Sequence, residues 1–370
     1  MAGLYFHIPF CKRICAYCDF FRVARLEMLG EAVEAMHREM EEQADFLTDK
    51  NIKTIYFGGG TPSLLGPREF QRFIDHAAQL WDLSQVGEIT VEANPDDITE
   101  EWVSELRTTQ VNRVSLGIQS LNDAELKFMN RRHSSAQAVN AVRRLQAAGI
   151  SNITIDLIFG VDGFGLDVLE GVVEEVLKLG VQHISAYHLT IEPDTAFGRR
   201  LARGEMSEVE ESISEAEFDF LHQRLTSAGY EHYEVSNYAR EGYRAKHNAS
   251  YWHGDEYLGI GAGAHSFNGA VRHYVEQDIA DYIKGREWVV EQLDECDQLN
   301  EYVMTSLRCA EGLNLDFIAE KFGVEESARV MRVAQSWADS GNVIIEGSWV
   351  RIPAARFLIS DAVIESMFEV

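Results

Sequence analysis

Three cysteines lie close together near the start of the chain, in the stretch HIPFCKRICAYCDFF. They are Cys11, Cys15 and Cys18, with the spacing C-x3-C-x2-C. Phe20 stands two residues past the last cysteine, where a fourth cysteine would extend the series. Because the thiolate is the form of cysteine that ligates metals, three of them in one short loop indicate a metal centre rather than unrelated packing residues.

Two kinds of metal centre are compatible with this loop. A zinc ion would need a fourth ligand such as His7 or Asp19, and structural zinc sites commonly have a second ligand pair that this loop lacks. An iron–sulfur cluster usually has four thiolates, so three would leave one iron open to a ligand from outside the protein. We favour the cluster, because an open metal position is what makes a site chemically useful.

The composition restricts the partners and the cellular location that the protein can have. The chain has 370 residues and a net charge of −27, which disfavours a nucleic-acid partner because phosphate binding needs a basic surface. No run of about 18 apolar residues predicts a membrane span, so membrane contact would be peripheral. The start, MAGLYFHIPF, lacks the basic region of a signal peptide, and we expect a cytoplasmic protein. Cys296 and Cys309 are predicted to be buried apolar residues.

Short β-rich runs alternate with longer amphipathic stretches. The predicted strands are GLYFHI, TIYFGG, EITVEA, RVSLGI, NITIDLIFG and HISAYHLT. The predicted helices cover residues 27–48, 67–80, 100–109, 134–148, 166–179 and 208–228. The alternation implies right-handed crossovers and a parallel sheet buried on both faces. We therefore predict an α/β fold, a partial (β/α)6 barrel of TIM-like type, with a doubly wound open sheet as the alternative.

Polar residues and glycines follow the predicted strands at their ends. They are Gly58–Thr61, Glu92, Gln119, Asp156 and His188. In a parallel barrel these ends share one rim, where active sites are built. Since the cysteines follow the first strand, they are predicted to lie on the same rim.

The strand–helix alternation stops after about residue 235. We predict three domains: a barrel at 1–235, a connecting segment at 236–290 that contains HNASYW, and a smaller C-terminal domain at 291–370. The last part has three helical patterns followed by the short strands of NVIIEGSWVRI, which favours a mainly helical, winged-helix-like shape. The segment GIGAGAHS lacks the last glycine of a dinucleotide fingerprint, so it is predicted to pack backbone closely.

The stretch YFHIPFCKRICAYCDF resembles the radical S-adenosylmethionine (SAM) family, in which C-x3-C-x2-C follows the first strand of a partial barrel. The resemblance implies a [4Fe–4S] cluster whose open iron binds the amino and carboxylate groups of SAM. An electron from the cluster cleaves the sulfonium in that family. The same stretch is similar to one subgroup, which contains oxygen-independent coproporphyrinogen III oxidase and the HemW-type heme chaperones.

The resemblance also implies a SAM site. Its residues would be Tyr5, Gly59, Gly60, Thr61, Glu92, Gln119, Arg131 and Asp156. The two glycines and Thr61 would meet the methionyl amino end, and Arg131 would face the carboxylate. Asp156 suits the ribose hydroxyls, while Glu92 and Gln119 would hydrogen-bond the ligand. Tyr5 would pack near the cluster.

Two features separate the oxidase from the chaperone within that subgroup. The oxidase usually carries a further cysteine where this chain has Phe20, and it has a long segment before the first strand, which here begins near residue 3. Both features favour a HemW-type protein that binds heme and delivers it to acceptor proteins, without coproporphyrinogen oxidase activity. The oxidase is the alternative, and another radical reaction on a tetrapyrrole or small substrate is less favoured. The sequence indicates neither the electron donor nor the heme acceptor.

The second motif is HNASYW, from His247 to Trp252, which matches the H-N-x-x-Y-W pattern of the subgroup. His247 is predicted to ligate heme iron, because histidine is a common axial ligand. The alternative is a polar–aromatic cluster that seals the barrel mouth. The local cations that could offset the anionic heme propionates are Arg240, Arg244, Lys246 and Arg272.

Overall fold

The computed structural model describes residues 2–369. The strands are β1 (Ala2–Ile8), β2 (Ile52–Gly59), β3 (Glu88–Ala93), β4 (Arg113–Gln119), β5 (Ile153–Phe159), β6 (His183–His188), β7 (Glu231–Glu234), β8 (Asn237–Ala239), β9 (Glu256–Ile260), β10 (His265–Phe267), β11 (Val271–Val275), β12 (Trp288–Gln292), β13 (Leu313–Asn314), β14 (Ile344–Glu346) and β15 (Trp349–Arg351). The α-helices are α1 (Leu29–Glu42), α2 (Pro67–Leu80), α3 (Glu100–Leu106), α4 (Asp123–Phe128), α5 (Ser135–Ala147), α6 (Leu166–Leu179), α7 (Ala196–Ala202), α8 (Glu211–Ser227), α9 (Lys246–Trp252), α10 (Ile279–Lys284), α11 (Glu295–Leu307), α12 (Leu315–Lys321), α13 (Val324–Asp339) and α14 (Ser360–Glu365).

A twelve-stranded sheet forms the centre of the molecule, in the order β12-β11-β10-β9-β1-β2-β3-β4-β5-β6-β8-β7. Strands β1 to β6 are parallel neighbours in chain order, which confirms the predicted partial barrel. A doubly wound sheet would reverse its strand order, and β1 to β6 do not. Strand β9, which was not predicted, adds a seventh parallel strand on the other side of β1.

The main core lies between this sheet and the helices that cover it. Phe6 of β1 stacks on Phe57 of β2 with ring centroids 4.8 Å apart, and Phe73 of α2 lies 4.9 Å from Phe6. All three rings are fully buried. Since β1 and β2 are covered on both faces, their sequences are nearly continuous apolar runs.

A smaller apolar cluster lies beside the cysteine loop. Its centre is formed by Ala16 of the loop, Leu126 of α4, Met129 and Phe197 of α7. Helices α4 and α7 have only 6 and 7 residues, and neither was predicted from the sequence. These short helices form an apolar support for the loop that carries the cysteines.

The C-terminal part has the predicted winged-helix-like arrangement, with α11 to α13 beside a small sheet in the order β13-β15-β14. It is hydrogen-bonded to the barrel, because the Val235 amide donates to the Arg308 carbonyl at 2.9 Å and the Ala310 amide donates to the Tyr233 carbonyl at 3.0 Å. Strands β9 to β12, from the predicted connecting segment, extend the main sheet. The division into three domains stays a prediction. Within residues 2–369, no helix has the length and apolarity needed to cross a membrane.

Candidate functional site

The cysteine loop starts directly after β1 and is closed at its base by backbone hydrogen bonds. The Val23 amide donates to the Pro9 carbonyl at 2.6 Å, and the Cys11 amide donates to the Val23 carbonyl at 2.9 Å. All three cysteines are free: Cys11 is buried, and the other two are partly exposed. Burial raises the pKa of the Cys11 thiol, whereas a hydrogen bond from Thr61 acts in the opposite direction.

Thr61 and Gly60 connect the end of β2 to this loop. The Thr61 hydroxyl donates to Cys11 Sγ at 3.3 Å, and the Gly60 amide donates to the Ile8 carbonyl at 2.9 Å. A Cβ on Gly60 would lie 2.6 Å from the Pro9 carbonyl carbon. Gly60 therefore allows the loop backbone to pass close to the end of β2. A contact with SAM at Gly59, Gly60 or Thr61 stays a prediction.

Arg131 reaches the loop from the turn after α4. Its Nη1 donates to Cys15 Sγ at 3.2 Å and to the Tyr17 hydroxyl at 3.4 Å. Its Nη2 donates to Asn94 Oδ1 at 3.0 Å and to the Gly117 carbonyl. Its Nε is buried without a hydrogen-bond partner among the described residues. The guanidinium thus joins the cysteine loop to the ends of β3 and β4.

Glu92 lies inside the barrel at the end of β3. Its Oε1 accepts a hydrogen bond from the Tyr56 hydroxyl at 2.7 Å, and its Oε2 accepts one from the Gly59 amide at 3.2 Å. Burial raises the pKa of Glu92 to about 7. Tyr5 lies next to Tyr56, with ring centroids 6.0 Å apart, and its hydroxyl is hydrogen-bonded to His7 Nδ1 at 3.0 Å.

Gln119 has the most unusual backbone conformation of the predicted site residues. Its φ is +68°, a left-handed value that side chains other than glycine rarely adopt, and the β4–β5 register shifts between Gly117 and Gln119. Its Oε1 is buried without a hydrogen-bond partner in the described part of the chain. Backbone strain and an unpaired buried acceptor at a strand end are both typical of ligand sites.

Asp156 lies in β5 opposite Gly117 of β4. The Ser115 hydroxyl donates to its Oδ2 at 3.3 Å. Burial raises the pKa of Asp156 to about 6, against the opposing effect of hydrogen bonds from Ser185 and Ser115. Asp156 thus lies one strand away from Gly117, whose carbonyl binds Arg131.

The HNASYW motif forms α9, and His247 lies at the end of the barrel opposite to the cysteine loop. A Cβ on Gly3, near the start of β1, would lie 3.2 Å from the His247 ring. His247 Nδ1 is hydrogen-bonded to the hydroxyl of Thr54, the third residue of β2, at 2.8 Å. From Thr54 to Gly59 the strand advances by about 16 Å. The motif therefore closes the barrel at the beginnings of its strands, the end that we call the foot. The alternative interpretation had placed it at the mouth, where the strands end.

Both ring nitrogens of His247 are already hydrogen-bonded. Nε2 is bound to the Tyr251 hydroxyl at 2.8 Å, and the ring stacks on Tyr56 with centroids 5.0 Å apart. The residue is 0% exposed, and burial lowers its pKa to about 3. Heme ligation by His247 stays a prediction, and in this conformation neither nitrogen is available to an iron.

Comparison with known proteins identifies the family. Residues 5–176 match the model of the radical SAM superfamily. The heme chaperone HemW of Lactococcus lactis is 37% identical over 322 residues, which cover 86% of this chain and 84% of that protein. HemW of Bacillus subtilis is 31% identical over 92% of both chains, and HemW of Escherichia coli is 35% identical over 71% of this chain and 69% of its own.

The chain belongs to the HemW family of radical SAM proteins. A solved structure of coproporphyrinogen III oxidase (HemN) from Escherichia coli resembles it with a TM-score of 0.84, covering 99% of this chain and 90% of the oxidase. That pair is only 19% identical, so the likeness shows the shared fold.

Membership of the radical SAM superfamily implies a [4Fe–4S] cluster and SAM. The side chains at the cysteine loop decide whether this site fits both groups. Among the described residues, no three histidine, cysteine or acidic side chains converge on a single metal ion. A cluster does not require such convergence, because each thiolate binds a different iron. Three free thiols, the unpaired Oε1 of Gln119 and the Arg131 guanidinium are a donor set that fits a cluster together with a zwitterionic ligand.

Two further residues lie at this candidate site and were not predicted from the sequence, Asn94 and Asp97. Asn94 Oδ1 accepts from Arg131 and contacts His133 Nδ1 at 3.2 Å. Asp97, which is 8% exposed, pairs with Lys12 of the cysteine loop at 2.8 Å and with Arg132 at 3.0 Å. Both belong to TVEANPDD, and the run of polar residues after a strand was the signal that could have identified them.

Proposed function

We propose that this protein is a heme chaperone that carries a SAM-ligated [4Fe–4S] cluster, binds heme and transfers it to acceptor proteins. The observation that carries this proposal is the 31–37% identity to proteins named heme chaperone HemW over most of the chain. Phe20 in place of a fourth loop cysteine supports the chaperone over the oxidase. Phe20 is 71% exposed at the cysteine loop.

In this proposal Cys11, Cys15 and Cys18 hold the cluster. When bound, the cluster and SAM would supply an electron source and a cleavable sulfonium. Thr61 and Arg131 donate hydrogen bonds to Cys11 Sγ and Cys15 Sγ, so they hold these two sulfur atoms in position.

The remaining predicted residues are assigned to SAM by their position at the mouth. Among residues 2–369, Gln119 Oε1 and Arg131 Nε have no hydrogen-bond partner, so the first can accept from an amino group and the second can donate to a carboxylate. Asp156 and Glu92 are acceptors for ribose or amino groups, and Gly59 and Gly60 line the turn above them. Tyr5 keeps its place beside the loop through His7, whose Nε2 is hydrogen-bonded to the Phe21 carbonyl at 3.1 Å.

We place the protein in the cytoplasm, where five free cysteines would stay reduced. Its partners would be heme, a heme-accepting protein and an electron donor.

The test is anaerobic reconstitution with iron and sulfide, followed by parallel assays on one preparation. We expect a four-iron absorbance spectrum that changes when SAM is added, stoichiometric heme binding, and no conversion of coproporphyrinogen propionates to vinyl groups. Robust vinyl formation would establish the oxidase instead. A preparation that binds no heme would refute the chaperone.

A further inference from the structure

The inner faces of β3, β4 and β5 carry polar side chains. Successive residues of a strand point to opposite sides, and the alternate residues Val91, Val114 and Ile155 belong to the main core. The residues of the inner faces are Thr90, Glu92, Arg113, Ser115, Thr154 and Asp156. The interior of a TIM-type barrel is usually filled by bulky branched apolar side chains, so a polar interior indicates a function other than packing.

Arg113 is buried in this interior without an acidic partner. It is 1% exposed. Its Nη1 donates to the Thr90 hydroxyl at 3.4 Å and its Nη2 to the Thr154 hydroxyl at 2.5 Å, whereas its Nε has no hydrogen-bond partner in the described part of the chain. Within residues 2–369 the guanidinium forms no ion pair. Hydroxyl groups satisfy its donors but do not neutralise its charge, and a buried charge is costly unless other charges balance it.

Two carboxylates lie one layer nearer to the mouth. Glu92 follows Thr90 by two residues in β3, and Asp156 follows Thr154 by two residues in β5. Two residues advance a strand by about 7 Å, which is too far for an ion pair but close enough for an electrostatic interaction in a buried site. Arg113 therefore lies below both carboxylates.

The charge of Arg113 opposes the effect of burial on these two acids. Burial raises the pKa of Glu92 to about 7 and that of Asp156 to about 6, and the charge of Asp156 raises the pKa of Glu92 as well. Arg113 lowers the pKa of both. The interaction thus favours the ionised form of each carboxylate.

The other charged or titratable groups that face the two acids do not replace Arg113. These groups are Tyr5, Tyr56, Tyr187, Tyr251 and Arg131. Burial raises the pKa of all four tyrosines, so they stay neutral near pH 7. Arg131 lies at the mouth, where it is hydrogen-bonded to Cys15 Sγ and is assigned to the SAM carboxylate. Arg113 is therefore the cation that remains to balance the two acids.

We propose that Arg113 is a positioning residue of the SAM site, which keeps Glu92 and Asp156 ionised so that both accept charge-assisted hydrogen bonds from the ligand. This inference rests on the proposed function, in which these carboxylates bind ribose or amino groups of SAM. Hydrogen bonds to an ionised group are roughly twice as strong as those between neutral groups. Arg113 acts from one layer below and does not contact SAM.

The test measures SAM binding to the anaerobically reconstituted protein by calorimetric titration, from about pH 5.5 to about pH 9. Wild type should lose affinity for SAM as the pH falls and Glu92 and Asp156 take up protons. Arg113→Gln removes the charge but keeps a donor for the threonine hydroxyls. It should move this loss of affinity upward by about one pH unit, the shift expected for an opposite charge at this distance. At about pH 7, where both acids are then less ionised, SAM binding should be about tenfold weaker.

Two controls separate the charge of Arg113 from its packing. Arg113→Lys keeps the charge and should restore the wild-type pH profile. Arg72→Gln is the same substitution on the outside of the barrel, where Arg72 of α2 pairs with Glu34 at 2.7 Å, and it should bind SAM like wild type at every pH. In an Asp156→Asn background, Arg113→Gln should have a smaller effect, because only Glu92 is left to respond.

The four-iron spectrum and the unfolding temperature report whether each variant is folded. If Arg113→Gln weakens SAM binding equally at every pH, or leaves it unchanged, Arg113 does not act through the carboxylates, and the chaperone proposal stands. Should Arg113→Gln fail to fold, the wild-type profile decides, because SAM affinity that is constant over this pH range would overturn the inference. If reconstituted wild type binds no SAM, the proposed function itself fails.

Discussion

Replacing Gly60 by alanine adds one methyl group where the end of β2 meets the cysteine loop. The new Cβ would lie 2.6 Å from the Pro9 carbonyl carbon and 2.9 Å from both the Ile8 oxygen and the Phe10 nitrogen. Ordinary contacts are about 3.5–4.0 Å, so the loop backbone would have to move by about an ångström. The φ of Gly60 is not positive, so any destabilisation would come from steric overlap and not from backbone strain.

We expect Gly60→Ala to destabilise the cluster-free protein by about 1–3 kcal/mol, the usual cost of overpacking. Since the displaced atoms precede Cys11, we also expect reduced iron and sulfide content after anaerobic reconstitution. The assays are thermal unfolding of the cluster-free protein and metal analysis of the reconstituted protein.

Gly171→Ala in the middle of α6 is the matched control, because nothing lies within 4 Å of its added Cβ. It should stabilise the protein by about 0.5–1 kcal/mol and leave iron uptake unchanged. If Gly60→Ala unfolds at the wild-type temperature but loses affinity for SAM, the glycine serves ligand approach and not loop packing. Wild-type stability together with full cluster content would refute the steric argument altogether.

Three further predictions concern the cluster, the pH dependence and the foot of the barrel. Cys15→Ser should abolish the four-iron spectrum without unfolding the protein, and a zinc-loaded stable variant would show that the cluster assignment is wrong. Burial raises the pKa of Glu39 from 4.5 to about 7. Between these two pH values the folded protein keeps a proton on Glu39 that the unfolded chain has lost, so the free energy of unfolding falls as the pH rises. Glu39→Gln should therefore lose less stability than wild type between about pH 5 and about pH 8 in urea unfolding; equal slopes would contradict this origin. His247→Ala should cost about 2–5 kcal/mol, because it removes a buried ring and leaves two partners unpaired, whereas the exposed His253→Ala should unfold like wild type. Equal unfolding temperatures for the two variants would remove the structural role of His247.

The strands of the barrel could be predicted because their burial is visible in local sequence. A strand that is covered on both faces must be apolar throughout, and EITVEA is observed as β3 at the predicted bounds, Glu88–Ala93. The predicted helix at 27–48 ends early, at Glu42. Phe46 and Leu47 continued the apolar pattern, yet they pack on the core from a turn.

Strand β9 could not be predicted, because its partner is distant in the chain. EYLGI is short, contains a glycine, and pairs with β1 about 250 residues away, as in Leu4 opposite Leu258. The glycines around it were correctly predicted to pack backbone closely: a Cβ on Gly261 would lie 2.4 Å from the His7 carbonyl oxygen. A run of glycines and alanines indicates that another backbone segment packs closely against it, but it does not identify that segment.

The position of the cysteine loop could be predicted from the sequence, whereas the position of the second motif could not. The three cysteines lie within eight residues, so C-x3-C-x2-C brings their thiols together whatever the position of the loop in the fold. HNASYW depends on which end of the barrel α9 covers, and that is decided by long-range contacts such as the Glu88 carboxylate on its first amides.

Tyr56 connects the two ends of the barrel. Its hydroxyl donates to Glu92 at the mouth, where the cysteine loop lies, and its ring stacks on His247 of α9 with centroids 5.0 Å apart. A displacement of α9 would therefore move His247 against Tyr56, and Tyr56 would in turn move the Glu92 carboxylate that is proposed to bind SAM. Since the contacts are direct, we expect the HNASYW motif to influence the SAM site through Tyr56 without touching the ligand.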